Sequence, residues 1–259
     1  MKKLLAIIGS PRKGETLKAV KRFEEEMNKI EEVTIEYVML SDIDLRECTG
    51  CESCVARGRE FCRENGKTRE LQDKMVEADG VILATPVYNQ HITALMKKFM
   101  DYYSFLWHRP ELFGIKFMGI SSGGGMFKDV FKHLKMNVGS WGGTWVGSLG
   151  VPHYESLTDK FKGKVDKDIH KKAETFLSAL KVKTLPTPSI GRLIMFNIWK
   201  INAEVTKQEL PKDYEHWTKT NWFNMDYYYS TKIGALKKIV VGLVMRLARS
   251  QMKKVYKGY

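Results

Sequence analysis

The chain has 259 residues, 43% of them hydrophobic, and carries 43 Lys and Arg against 30 Asp and Glu for a formal net charge of +13. That length and apolar content suit one α/β domain with an appendage, or two small domains, and exclude a disordered or collagen-like chain. The positive balance favours an anionic ligand, nucleic acid or an anionic lipid surface as partner, and charge alone does not choose among them.

The first residues, Met1 to Ile8, have the charged and apolar start of a signal peptide, but Gly9-Ser10-Pro11-Arg12-Lys13 interrupts it after five apolar residues. The expectation is a buried first strand in a cytoplasmic protein. No apolar run reaches the roughly 18 residues of a membrane-spanning helix. The longest, Ile239 to Met245, contains Gly242 and is followed by Arg246.

Short apolar runs then alternate with stretches of helical period as far as residue 182, which predicts a parallel sheet with helices on both faces. Strands are expected at Lys3 to Gly9, Glu32 to Leu40, Gly80 to Thr85, Ile115 to Ser121 and Thr144 to Val151. Helices are expected at Thr16 to Glu31, Glu70 to Glu77, Ile92 to Leu106, Phe127 to Leu134 and Phe161 to Val182. His108-Arg109-Pro110 reads as a helix end, cations suiting the negative dipole terminus and Pro110 stopping the helix.

The loop after the first strand, Gly9-Ser10-Pro11-Arg12-Lys13-Gly14-Glu15-Thr16, leads into a helix, where backbone N–H groups and hydroxyls can meet a phosphate and Arg12 adds a charged donor. It matches neither the Gly-x-Gly-x-x-Gly dinucleotide turn nor the Walker loop. A plain β–α turn with Thr16 as N-cap is the alternative.

Gly9-Ser10-Pro11-Arg12-Lys13 with Thr16 resembles the phosphate loop of the flavodoxin-like NAD(P)H-dependent FMN reductases. Ala78 to Tyr88, followed by Leu95-Met96-Lys97-Lys98-Phe99-Met100-Asp101, is similar to that family's third strand, flavin loop and next helix, and Ser121-Ser122-Gly123-Gly124-Gly125 falls where its fourth strand ends. The three matches cover roughly residues 1 to 150. The resemblance implies a flavodoxin-like, doubly wound sheet of five parallel strands in order 2-1-3-4-5, with the loops at one carboxyl edge. It implies FMN as cofactor, with Ser10, Arg12 and Thr16 on the phosphate and Pro86, Val87, Tyr88, Asn89, Ser121, Ser122, Gly123 and Gly124 around the ribityl chain and ring. NAD(P)H as electron donor, a quinone, flavin or other small-molecule acceptor, and a homodimer follow from the same resemblance. Glu15 departs from the family, which often has Asn there, and a carboxylate beside a phosphate is unfavourable unless it points away.

All four cysteines lie within fifteen residues as Cys48-x2-Cys51-x2-Cys54-x7-Cys62. Spacings this short suit metal ligation better than disulfides in a reducing compartment, and three thiolates at two-residue intervals with a fourth nearby match a [4Fe–4S] ligand set. Zinc, or no metal at all, remains open. A similar motif marks the iron–sulfur flavoproteins, and that resemblance implies single-electron exchange between a ferredoxin-like donor and FMN. Of the six histidines, His91 follows the flavin loop and reads either as a ring or acceptor contact or as a helix start, and the others as surface or packing residues.

Thr184 to Gly191 holds two prolines and a glycine and reads as a linker, which divides the chain into a domain of residues 1–184 and a helical extension of residues 185–259. The extension carries a net charge of +8 and 11 of the chain's 29 aromatic residues, and from Tyr227 to Tyr259 there are eight Lys and Arg and no acid. Leu236, Ile239, Val240, Leu243, Val244 and Leu247 fall on one helical face, expected to pack on its own protein or on a second subunit; the alternative is peripheral contact with an anionic membrane. Nucleic acid is not expected as a partner, since no DNA- or RNA-binding motif appears.

Overall fold

Five parallel strands, hydrogen-bonded in the order β2-β1-β3-β4-β5, form one sheet in a computed structural model that describes the backbone of residues 1–255 and the side chains of residues 1–251. The strands are β1 (Lys2–Ile8), β2 (Val33–Met39), β3 (Gly80–Pro86), β4 (Lys116–Gly123) and β5 (Thr144–Pro152), each within two residues of the ends expected from sequence. β1 pairs in parallel with both β2 and β3, so strand order reverses beside it and leaves a crevice at the carboxyl ends of β1 and β3. This is the expected flavodoxin-like arrangement.

The helices follow as α1 (Glu15–Asn28), α2 (Ser53–Ala56), α3 (Asn65–Glu77), α4 (Ala94–Asp101), α5 (Phe105–His108), α6 (Phe127–Ser140), α7 (Asp159–Lys181), α8 (Ile190–Val205), α9 (Pro211–Lys219) and α10 (Ala235–Val255). Successive strand side chains point to opposite faces. Leu4, Ala6 and Ile8 of β1 therefore join Ile82 and Ala84 of β3 in one core, covered by Ala19, Val20 and Phe23 of α1 and Ala173, Phe176 and Leu177 of α7. Gly80 admits this packing: a Cβ there would sit 2.6 Å from Leu180 Cδ2.

Three helices depart from expectation, α6 simply by running on to Ser140 rather than ending at Leu134. The segment Ile92 to Leu106 is not one helix: Thr93 caps α4, its hydroxyl accepting from Met96 N at 3.1 Å, and α4 ends at Asp101. Tyr102 and Tyr103 are buried in the break, their hydroxyls donating to Arg46 O at 2.8 Å and Thr68 O at 2.7 Å. Burying both rings and satisfying both hydroxyls outweighs one more helical turn. α3 begins at Asn65 rather than Glu70, with Thr68 Oγ1 donating back to Glu64 O at 2.9 Å.

The chain groups into two compact units. The first comprises Met1–Gly50 and Glu64–Thr184, and the second comprises Cys51–Arg63 together with the chain from Leu185 onward. Residues 51–63, counted from sequence with the first domain, thus group with the extension, where α2 packs on α9. Within the second unit, Phe196, Trp217, Trp222 and Tyr228 form a ring cluster with centroids 4.7 to 5.9 Å apart. Burial raises the pKa of the Tyr228 hydroxyl far above its ordinary value. The end of the expected extension, residues 256–259, lies outside the described residues. Among the described residues, no helix is long and apolar enough to cross a membrane.

Candidate functional site

The loop from Gly9 to Gly14 is held from two sides. Gly9 N donates to Ala84 O at 2.8 Å, and Thr93 Oγ1 donates to Gly9 O at 2.5 Å. Any side chain at Gly9 would collide with α4, a Cβ falling 2.7 Å from Met96 Cβ and 3.2 Å from Met96 Cα. Ser10 is buried and curls the loop, its hydroxyl donating to Arg12 O at 2.8 Å, while Arg12 remains exposed.

Helix α1 starts at Glu15 with Gly14 as N-cap and without a side-chain cap. The alternative reading of Thr16 as N-cap does not hold: its buried Oγ1 lies 2.8 Å from Ser122 Oγ at the end of β4. The first-turn N–H groups of α1 are therefore left for an external acceptor, the usual arrangement where a helix receives an anion. Glu15 engages Lys18 on the next turn, Oε1 to Nζ 2.9 Å, which turns its carboxylate along the helix.

The second loop leaves β3 at Pro86. Val87 N donates to Ser122 O at 2.9 Å, and Tyr88 and His91 close a tight turn by exchanging backbone hydrogen bonds of 2.9 and 3.0 Å. Asn89 and Gln90 at its tip take left-handed backbone, with φ of 46° and 64°. His91 thus closes a turn rather than starting α4, and its ring stands edge-on to His133, centroids 4.9 Å apart. Burial, then the neighbouring His91 and Lys97, hold the His133 imidazole below its ordinary pKa.

The third loop follows β4. Gly123 has φ of 154°, and a Cβ there would meet Val87 Cβ at 3.2 Å, so the second and third loops close on each other through a glycine. Beneath them Ser121 is fully buried, its hydroxyl donating to Thr85 O at 2.8 Å.

These loops enclose a cavity of about 330 Å³ lined by Ser10, Arg12, Gly14, Glu15, Thr16, Pro86, Val87, Tyr88, Ser122, Gly123 and His153. Eight of the residues implicated by sequence line it: Ser10, Arg12, Thr16, Pro86, Val87, Tyr88, Ser122 and Gly123. Three do not. Ser121 braces the floor, Asn89 sits at the turn tip, and Gly124 lies beside the rim, where a Cβ would be 3.9 Å from His153 Nε2. His153, expected to be a surface or packing residue, lines the cavity because β5 ends at Pro152 on the same sheet edge. Its signal was its position just past a predicted strand end. The residues fit a phosphorylated flat ligand: an uncapped helix start, a flexible cation at Arg12, small polar side chains below, and a glycine edge that a Cβ would fill.

The cysteines are placed differently. Cys48 and Cys51 are exposed, and Cys54 and Cys62 are half-buried. Among the described residues, no group of three or more His, Cys, Asp or Glu is disposed to hold a metal.

Residues 2–155 match the sequence profile of the NADPH-dependent FMN reductases. An iron–sulfur flavoprotein of Archaeoglobus fulgidus is 35% identical over 150 residues, 56% of this chain and 66% of that protein. One of Clostridioides difficile is 28% identical over 223 residues, 83% of this chain and 93% of that protein. The alignments with the first curated relatives span only 47% to 66% of those proteins' own length. Among solved structures, an NADH:FMN oxidoreductase in apo form superimposes with a TM-score of 0.52 at 22% identity, covering 74% of this chain and 98% of that one, a likeness of fold.

Proposed function

The chain belongs to the NADPH-dependent FMN reductase family, and from that premise we propose that it is an FMN-dependent oxidoreductase. In this reading it takes reducing equivalents from NAD(P)H and passes them to a quinone, another flavin or a similar small acceptor, as a cytoplasmic homodimer. The observation that carries the reading is the convergence of three loops on one cavity at the strand-order reversal, with an uncapped helix start on one wall.

FMN, when bound, supplies the redox chemistry of its isoalloxazine ring. The chain's residues bind and orient it. Ser10, Arg12, Thr16 and the first-turn N–H groups of α1 take the phosphate, Arg12 by a charge-assisted hydrogen bond. Pro86, Val87, Tyr88 and Asn89 present main-chain groups to the ring edge, and Ser122, Gly123 and Gly124 let backbone approach a flat surface closely. Ser121 serves as a brace. Residues 1–184 act as the FMN-binding domain and residues 185–259 as an extension to it.

A second reading is favoured by the Cys48, Cys51, Cys54, Cys62 spacing and by the two relatives named as iron–sulfur flavoproteins. The four thiolates would take a [4Fe–4S] cluster, and the protein would exchange single electrons with a ferredoxin-like donor.

Purification without oxygen, followed by an absorption spectrum with iron and acid-labile sulfide assays, separates the two. Flavin bands without iron, and oxidation of NADH or NADPH with a quinone acceptor, are expected for the first. Flavin with about four iron and four sulfide per chain would establish the second. A colourless protein that takes up no FMN would refute both.

A further inference from the structure

The last described helix, α10, has two apolar faces, and its own unit covers one of them. Val241 and Met245 are buried, and α10 packs on α8. At about 100° per residue, Leu236, Ile239, Leu243 and Leu247 form a stripe nearly opposite that buried edge. These four side chains are 55% to 75% exposed. Of the expected packing on its own protein or on a second subunit, the first does not hold for these four side chains: Val241 and Met245, outside the expected stripe, took the buried side.

The surroundings of the stripe are cationic. On the same helical projection Lys237 borders it on one side and Arg246 on the other. Beside it a groove of about 750 Å³ between α8 and α10 has Leu193, Val241 and Met245 on its apolar wall, with Lys238, Arg246 and Arg249 also lining it. Asp226 enters the same groove and pairs with Lys238 at 2.6 Å, leaving the two arginines as its net charge. From Tyr227 onward the sequence has no acidic residue.

We propose that this face of α10 docks peripherally on an anionic phospholipid surface, the four apolar side chains entering the headgroup boundary and Arg246 and Arg249 meeting lipid phosphates. An exposed apolar stripe edged by cations is what an interfacial helix requires. A second copy of this chain would bring like charge against like charge, and nucleic acid would leave the apolar stripe uncovered. The proposal is independent of the redox reading above.

The test is flotation of the full chain with vesicles of phosphatidylcholine alone and of phosphatidylcholine mixed with phosphatidylglycerol, at low and high salt. The chain is expected to float with the mixed vesicles only, and less at high salt. L243E and L247E are expected to abolish flotation while melting like the parent protein, because both side chains are exposed. R246Q/R249Q is expected to weaken partition by about fivefold for each cation removed. No flotation with mixed vesicles, or equal flotation with neutral ones, would overturn the proposal. A lipid-free dimer in light scattering that L243E dissociates would assign the face to a second copy, and a large fall in the L243E melting temperature would assign it to the protein's own interior.

Discussion

Gly9→Ala is the sharpest perturbation of the candidate site, because it alters one methyl where two of the site's loops are joined. The new Cβ would fall 2.7 Å from Met96 Cβ and 3.2 Å from Met96 Cα, so α4 itself must move. Overpacking of this kind costs about 1 to 3 kcal/mol. At roughly 2 to 4 °C per kcal/mol for a domain of this size, the melting temperature should fall by about 2 to 12 °C. The displacement also loads the Thr93 hydroxyl bond to Gly9 O and the Gly9 N bond to Ala84 O, which set the spacing of the phosphate-side and ring-side loops. FMN affinity should therefore drop together with stability, read by thermal melting and by flavin fluorescence titration. Gly9→Ala/Met96→Ala is the control: it keeps the Cβ that clashes and should rescue little. Parent-like melting in Gly9→Ala, or full rescue by Met96→Ala, would refute the argument.

Arg12→Ala should weaken FMN retention by about 1.5 to 3 kcal/mol, tenfold or more, with unchanged thermal stability of the apo form, since Arg12 is exposed; unchanged affinity removes it from the site. Thr16→Val leaves the buried Ser122 hydroxyl without its partner at 2.8 Å and should cost about 1 to 3 kcal/mol. In a double-mutant cycle with Ser122→Ala the two costs should be less than additive, and strict additivity in urea melts would deny the pair. His133 titrates below its ordinary value in the folded chain because burial disfavours its charged form, with His91 beside it adding to the effect. The unfolded chain thus binds the extra proton first, so stability is full above about pH 6.5 and is lost as pH falls through the depressed folded value. His133→Gln should flatten that part of the stability profile, and an unchanged slope between pH 7 and 5 would contradict it.

The parallel sheet and its edge loops were legible in the sequence for a simple reason. Buried strands such as Leu4 to Ile8 and Val81 to Ala84 are continuous apolar runs, and glycines, prolines and hydroxyl residues punctuate their ends. Residues following strands of one parallel sheet share an edge, so Ser10, Pro86 and Ser122 could be assigned to one site before any distance was known. What escaped was decided by partners distant in sequence. Thr16 matches the local pattern of a helix cap, yet its hydroxyl is claimed by Ser122, 106 positions away. The Ile92 to Leu106 segment has helical period throughout, yet Arg46 O and Thr68 O draw Tyr102 and Tyr103 out of it.

Sequence alone determined the element types, the strand-end chemistry of the site and the cationic, aromatic character of the extension, because these depend on local periodicity and composition. Tertiary structure decided which face of α10 is buried, that residues 51–63 group with the extension, and that His153 joins the cavity. Each is a choice between surfaces of similar local composition. Such choices turn on which neighbour can be closely packed and which polar group finds its partner, and neither is encoded within the reach of a single helix or strand.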